Sequence, residues 1–255
     1  MKFGERSGEL KIGHGKPNEN FIIEKGTKDR FGNQYLTSKE FSYLDNSGQK
    51  ISAGILISTA GQKFIAEHPK ILHNLDRGLE YLEESPNLEK IHNDVIDLGQ
   101  GVFLQHITYG IQSFFYVLTI GNEKYAIKTH YNWKGEKNQP YINEMLQTQA
   151  IARDLEVELK ELKIELSNFL FTSGQVSCTQ YEEEENNYSN FTIPRLTKFF
   201  SLISKYIKTK QQQNDPLWKN VVVDSKGNLE DIARNFRTKK DGTIVCIDPL
   251  IILQK

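Results

Sequence analysis

The spacing of apolar residues along the chain predicts three amphipathic helices. Between residues 71 and 83, leucines and isoleucines recur at helical spacing and most charged residues fall off their face. A similar pattern over residues 194–208 predicts a second helix. A third is predicted from Pro140 to about residue 153, because proline costs little in the first turn of a helix.

Runs of β-branched and aromatic residues predict antiparallel β structure. Three runs, at residues 102–107, 114–120 and 124–129, are joined by short turns and indicate a meander. Paired runs on either side of a turn indicate hairpins, which are predicted at residues 35–58, 166–181 and 236–247. Together the helices and strands predict an α+β fold.

Two segments show no such pattern. Residues 1–30 are rich in glycine and charge, which predicts a weakly ordered arm. Residues 182–187 contain four consecutive glutamates and two asparagines, and we expect this run to be solvated.

Composition limits the class of protein. The chain has 255 residues, of which 38% are apolar and 11% aromatic, too many for a disordered chain. Its 32 basic and 33 acidic residues give a net charge of -1, which does not favour a nucleic-acid partner. No apolar run approaches the roughly 20 residues that span a bilayer, and no signal peptide is evident. We therefore expect a soluble cytoplasmic protein with no nucleic-acid or membrane partner.

The two cysteines favour reduced, structural thiols. Cys178 and Cys246 are too few for a disulfide scaffold, and both fall within predicted strands. Buried thiols in such positions are typically unreactive.

Four polar residues carry the candidate chemistry. Lys128 ends the third strand of the meander, and Glu144 lies on the following helix. Asn235 precedes the last hairpin, and Asp248 follows it 13 residues later. A lysine on a rigid strand can bind phosphate oxygens, and a glutamate on a packed helix can fix its rotamer. Amide and carboxylate oxygens are ligands that Mg²⁺ prefers.

The order and spacing of these residues resemble the protein-kinase-like fold over roughly residues 100–250. In that family a strand-three lysine and a helix-C glutamate are followed by a metal-binding asparagine and aspartate. The resemblance implies ATP and Mg²⁺ as cofactors, with Lys128 and Glu144 at the phosphates and Asn235 and Asp248 at the metal. Asp248 stands before Pro249, where the family usually has Asp-Phe-Gly.

The catalytic base implied by the resemblance has three readings. The family position falls on Glu230, where a glutamate replaces the usual aspartate. Asp231 could act instead after a one-residue shift of the loop. The third reading is that no base exists, and the family's loop lysine is also replaced, by Ile232.

The phosphate-covering loop is assigned to residues 108–113. Gly110 lies between the first two strands of the meander, and Ser113 could assist it. Gly99 and Gly101 look closer to the family's glycine motif, but they lie far from Lys128 for two strands and a turn.

The resemblance places the adenine-binding hinge at Tyr181 and Glu182, directly after the second hairpin. Hinge contacts are made by the backbone, so this assignment rests on position in the chain. Val176, Ala126 and Ile247 are predicted walls of the adenine pocket, and each could equally be a core residue.

The implied architecture has three parts. Residues 96–187 form a kinase-like N-lobe, with an antiparallel sheet and helix C. Residues 188–255 form a truncated, mostly helical C-lobe with the catalytic loop and the metal-binding hairpin. Residues 1–95 form an N-terminal α/β extension of arm, hairpin and helix. Only seven residues follow Asp248, so we expect this extension, above all the helix at 71–83, to pack on the core.

The predicted function is that of an atypical minimal kinase, similar in economy to small bacterial and phage kinase-like proteins. It would transfer phosphate from ATP to a hydroxyl of a protein or small molecule. One alternative is a pseudokinase that binds a nucleotide or a protein without catalysis. Another is an α+β interaction protein whose spacing arises by chance. Expected partners are a nucleotide and a protein substrate or partner, in the cytoplasm or, for an effector, in a host cell.

Overall fold

The fold is taken from a computed structural model. It describes residues 28–37, 43–44, 50–51, 54–83, 95–109, 113–130, 140–173, 176–182, 192–215, 217–219, 221–223, 235–247 and 251–253. In chain order the elements are β1 (Gln34–Thr37), β2 (Tyr43–Leu44), β3 (Lys50–Ile51), β4 (Gly54–Ile57), α1 (Thr59–Glu67), α2 (Ile71–Glu83), β5 (Val95–Gly99), β6 (Val102–Tyr109), β7 (Ser113–Ile120), β8 (Glu123–His130), α3 (Pro140–Asp154), α4 (Glu156–Glu161), β9 (Ile164–Leu166), β10 (Phe169–Ser173), β11 (Val176–Gln180), α5 (Thr192–Gln212), β12 (Val221–Val223), β13 (Phe236–Thr238), β14 (Ile244–Cys246) and β15 (Ile251–Leu253).

The described residues fall into two compact units. The first contains those within Met1–Tyr141 and Phe169–Tyr181, and the second contains those within Ile142–Asn168 and Glu182–Lys255. The predicted arm at residues 1–30 lies almost entirely outside the described residues. Strands and helices occur in both units, which confirms the α+β class.

The first unit is built on one eight-stranded antiparallel sheet. Its strands lie in the order β1-β4-β10-β11-β8-β7-β6-β5. β6, β7 and β8 are consecutive neighbours, which confirms the predicted meander. β10 and β11 form a hairpin, and β11 pairs with β8. After α3 the chain therefore returns to this sheet, where β11 lies beside β8, the third strand of the meander.

Helix α2 covers one face of this sheet. Its bounds agree with the predicted helix at 71–83, and its apolar face is buried. Five of its residues join a core cluster with residues of β4, β6, β7, β8, β10 and β11: Ile71, Leu72, Leu75, Leu79 and Leu82. The expectation that the N-terminal helix packs on the core is confirmed within this unit.

Helix α1 was not predicted, because its apolar pattern is weak. Ser58 caps its first turn by accepting a hydrogen bond from the Gly61 N–H at 2.9 Å. The backbone N–H of Ser58 donates to the Leu170 carbonyl in β10 at 3.0 Å. A Cβ atom at Gly61 would lie 1.7 Å from that same carbonyl oxygen. Glycine is needed at position 61 because the helix approaches the sheet closely there.

The second unit combines one long helix with short strands. Helix α5 confirms the predicted helix at 194–208 and extends beyond both of its ends. β13 and β14 form the predicted C-terminal hairpin, and β9 pairs parallel to β14. β12 and β15 form a separate antiparallel pair. Trp218 is fully buried, and its ring packs against that of Tyr206 at a centroid distance of 5.2 Å.

One strand assignment requires correction. The hairpin predicted over 166–181 began at Leu166, but Leu166 ends β9 in the second unit. The Ser167 N–H donates to the Cys246 carbonyl at 2.8 Å, which keeps this segment on β14. The hairpin of the first unit starts only at Phe169. Local apolarity could not distinguish two short strands that belong to different sheets.

Among the described helices, none is both long enough and apolar enough to cross a membrane.

Candidate functional site

Lys128 lies near the centre of the sheet in the first unit. In β8 it is paired with Phe115 of β7 on one side and with Ser177 of β11 on the other. Residues directly opposite each other on antiparallel strands share one face of the sheet. Lys128 is half-buried, and Ser177 is 2% exposed. An ammonium group and a buried hydroxyl are therefore neighbours on this face.

The adjacent row of the same face is made of short side chains. Ala126 is paired with Val117 on β7 and with Thr179 on β11. All three are buried, with exposures between 7% and 8%. The short side chain of Ala126 therefore lies between two β-branched residues, in the row next to Lys128. Lys128 and Ser177 form one row, and Ala126 and Thr179 form the row beside it. We call these four residues together the lysine row.

Ser113, a predicted phosphate-loop residue, lies on the same face of the sheet as the lysine row. It starts β7 and is paired with His130, two residues beyond Lys128. Gly110, the other predicted phosphate-loop residue, lies outside the described residues. Lys128 lies near the end of β8, and the predicted phosphate loop adjoins that same end of the sheet.

The chain leaves the sheet at the opposite end of this face. The Tyr181 N–H donates to the Lys124 carbonyl at 3.2 Å. The Tyr181 ring lies 6.4 Å from the Phe115 ring and 5.9 Å from Lys124 Nζ. Contacts with β7 and β8 therefore hold Tyr181, the first of the two predicted hinge residues, against the sheet.

Glu182, the second predicted hinge residue, belongs to the second unit and is half-buried. This corrects the expectation that the glutamate run is solvated from its first residue. Burial raises the pKa of the Glu182 carboxyl, and Lys239, whose Nζ lies 3.8 Å away, partly opposes that effect. The hydrogen bond with Glu165 at 2.7 Å raises the pKa of Lys239, although burial acts in the other direction. Lys239 therefore stays charged between two carboxylates.

The second unit also holds the predicted metal-binding hairpin. Asn235 directly precedes β13, and its carbonyl accepts a hydrogen bond from the Ile247 N–H at 2.9 Å. The two ends of the hairpin are therefore joined at Asn235 and Ile247, and Asp248 is the next residue in the sequence. The Asn235 amide oxygen is a ligand type that suits Mg²⁺.

The remaining acidic candidates fall outside the described residues. These are Glu230, Asp231 and Asp248. Within the part of the chain that is described, no three histidine, cysteine or acidic residues are grouped as a metal site. The assignments of the base and of the aspartate ligand therefore stay predictions.

Glu144 lies in α3 and is half-buried, next to the fully buried Met145. Lys128 belongs to the first unit and Glu144 to the second. Their predicted ion pair stays a prediction.

One predicted pocket residue lies on the wrong face. Val176 is paired with Thr129, three residues from Ala126, so Val176 and Ala126 face opposite sides of the sheet. Val176 belongs to the core cluster that includes α2. Thr179, which is paired with Ala126, lies on the face of the sheet that Ala126 occupies.

The neighbouring thiol is structural. Cys178 lies between Ser177 and Thr179 in sequence and faces the core, where it is fully buried. Burial strongly raises the pKa of its thiol. Cys246 is also free and buried, so the predicted reduced thiols are confirmed.

Ser177 and Thr179 were not among the candidate residues predicted from the sequence. The signal available was the alternation Val176, Ser177, Cys178, Thr179, which separates a polar face from an apolar one. Only the pairing of β11 with β8 shows that the polar face is shared with Lys128.

No family model, curated protein or solved structure matches the chain significantly.

Proposed function

We propose that the protein is an atypical minimal kinase that transfers the γ-phosphate of ATP to a hydroxyl group of a protein or small molecule. The observation that carries the proposal is the position of Lys128 within the lysine row. Lys128 is on the third meander strand and precedes α3, and the neighbouring strand β11 leads to Tyr181. The protein-kinase resemblance requires this succession of lysine strand, helix and hinge strand.

Each end of the sheet face has a role in this proposal. Lys128 would bind the α- and β-phosphate oxygens of the nucleotide, with Glu144 fixing its rotamer. Ser113 and the loop at Gly110 would cover the phosphates. The backbone at Tyr181 and Glu182 would contact adenine, and the short side chains of the lysine row would face the nucleotide.

The transfer step uses residues of the second unit. Asn235 and Asp248 would hold Mg²⁺, which supplies charge neutralisation at the phosphates. Glu230 or Asp231 would accept the proton of the acceptor hydroxyl. The acceptor oxygen then forms a bond to the γ-phosphorus, and the bond from that phosphorus to the bridging oxygen of ADP breaks.

The direct test compares Lys128→Met with Lys63→Met. Lys63 is an exposed residue of α1 and serves as the matched control. Transfer of labelled γ-phosphate to the protein itself or to a general acceptor should fall by about 100-fold in Lys128→Met, the usual cost of one electrostatic contact in a transition state. The same activity in both variants would contradict the proposal.

A pseudokinase is the second candidate, because the sequence has Asn-Leu-Glu where the family has His-Arg-Asp. A pseudokinase would bind ATP at the lysine row without transferring phosphate. Calorimetry with Mg-ATP, combined with the transfer assay, separates the two candidates. Binding that is weakened by Lys128→Met, together with no transfer to any acceptor, would favour the pseudokinase.

A further inference from the structure

Helix α5 has an unusual charge pattern for a protein whose net charge is -1. Its 21 residues include five basic side chains and no acidic one. Lysine near a helix C-terminus is favoured by the helix dipole, but this accounts only for the last turn. The other four basic residues lie before the last turn.

Two of the five have internal partners. Arg195 donates to three backbone carbonyls, including that of Gly242 at 2.8 Å. Lys210 Nζ lies 2.9 Å from Asp154 Oδ2. These two side chains stabilise the second unit and are not available to another molecule.

By helical spacing the other three lie on one side of α5, which we call the lysine face: Lys198, Lys205 and Lys208. All three are exposed, and no acidic side chain among the described residues pairs with them. Lys198 and Lys205 are two turns apart and Lys208 is one turn further, so their Cα atoms span about 15 Å along the helix axis. Ser201, between them, is also exposed.

The chemistry of the lysine face favours a flexible acidic chain as its partner. Lysine is a point charge on a mobile stem, so it selects negative charge rather than a fixed geometry. A membrane would need several exposed apolar residues beside the lysines, but Leu196, Phe199 and Ile203 of α5 are buried, and the exposed Ile193 stands alone in the first turn. A nucleic acid would need wider positive charge, which the overall balance does not provide.

We propose that the lysine face of α5 docks an acidic, flexible segment of a protein partner. Each exposed ion pair contributes little to binding, because both charges are solvated and screened. Docking is therefore weak for a single short peptide and is strengthened by a partner with many carboxylates. The inference goes beyond the proposed phosphotransfer, because it requires neither nucleotide nor catalysis.

Binding of poly-L-glutamate to the full chain at low salt is the test. We expect binding that falls steeply as NaCl rises, because the Debye length shortens from about 30 Å at 0.01 M to about 3 Å at 1 M. The triple variant K198E/K205E/K208E should bind at least about tenfold more weakly, in line with the loss of three ion pairs. The triple variant K198R/K205R/K208R keeps the charge and should bind like the native protein.

The matched control is K28E/K63E/R77E, which makes the same charge change at exposed positions of the first unit. It should retain poly-L-glutamate binding. Equal losses in the two charge-reversed proteins, or no binding by the native chain, would overturn the proposal. Binding of poly-U RNA or phosphatidylserine vesicles through these lysines, without binding of poly-L-glutamate, would also overturn it. ATP binding in K198E/K205E/K208E is measured separately, so failure of docking and failure of the kinase proposal are distinguishable.

Discussion

The Arg195 guanidinium donates to the carbonyl oxygen of Gly242 at 2.8 Å, 47 residues further along the chain. It also donates to the carbonyls of Leu162 at 2.6 Å and Lys163 at 2.5 Å. The Lys163 carbonyl accepts a second hydrogen bond, from the Ile244 N–H at 2.9 Å. One planar cation therefore joins α5, the end of α4 and the turn of the hairpin that begins after Asn235.

Replacing Arg195 by lysine should destabilise the second unit. Lysine keeps the charge but cannot reach three carbonyls with a fixed fork of donors. We expect a loss of about 2 kcal/mol in the free energy of unfolding, because charge-assisted hydrogen bonds contribute roughly 1.5–3 kcal/mol each and the site is partly exposed. Denaturant unfolding measures this loss. Lys198→Arg on the same helix is the control and should leave the midpoint unchanged.

Gly61→Ala should destabilise the first unit, although alanine is the better helix former. The added Cβ would lie 1.7 Å from the Leu170 carbonyl oxygen, so α1 must move away from β10. We expect a cost of about 2–3 kcal/mol from overpacking, against a gain of roughly 1 kcal/mol in helix propensity. Thermal and denaturant unfolding report the net effect. A stabilised Gly61→Ala protein would contradict the close packing of α1 on β10.

The control for that substitution is Ala66→Gly, at an exposed position of the same helix. It should cost at most about 1 kcal/mol, which is the propensity difference alone.

Asp154 should contribute to stability at neutral pH but not in acid. Burial acts to raise its pKa, but hydrogen bonds from Lys210, Arg153 and Tyr206 prevail and lower it from 3.8 to about 2. A carboxyl with a lowered pKa stabilises the fold above pH 4, and this contribution is lost as the pH falls from about 4 to about 2. After allowance for solvent screening, we expect about 1 kcal/mol.

Unfolding free energies between pH 2 and pH 7 test this contribution. Asp154→Asn should be less stable at pH 7 and show a weaker dependence between pH 4 and pH 2. Glu158→Gln, at an exposed position of α4, should follow the native curve. An unchanged acid dependence in Asp154→Asn would show that other groups control it.

The two thiols should report the opening of the two units separately. Cys178 is buried in the first unit and Cys246 in the second. We expect labelling by a thiol reagent under native conditions to be at least about 100-fold slower than that of an unfolded chain, because burial blocks access and disfavours the thiolate. Cys246→Ala then reports the first unit, and Cys178→Ala reports the second. Fast native labelling of either variant would mean that its thiol is accessible.

Thr179→Leu should weaken ATP binding if the lysine row faces the nucleotide. The larger side chain would lie beside Ala126, on the same face of the sheet as Lys128. We expect Mg-ATP affinity to fall at least about tenfold, measured by calorimetry, the scale of one lost or obstructed contact. Gln180→Leu is the control, since Gln180 is exposed and points to the other face. Equal affinities in the two variants would remove Thr179 from the site.

The periodicity of apolar residues was sufficient to predict the helices and strands whose pattern is local. The α2 helix, the β6–β8 meander and the β13–β14 hairpin agree with their predictions because alternation and helical spacing are properties of neighbouring residues. Helix α1 was missed because a capping serine and a close-packed glycine define it more than an apolar stripe does. β9 was merged with β10 because apolarity does not indicate the sheet to which a strand belongs.

By itself, the sequence determined which residues alternate and where lysine, asparagine and hydroxyl side chains occur along the chain. It could not determine that Ser177 and Thr179 share a face with Lys128 while Val176 faces the core. That arrangement depends on the register between β8 and β11, strands separated by about 45 residues. A shift of one residue would exchange the two faces, so only the packed sheet decides which side chains surround the lysine.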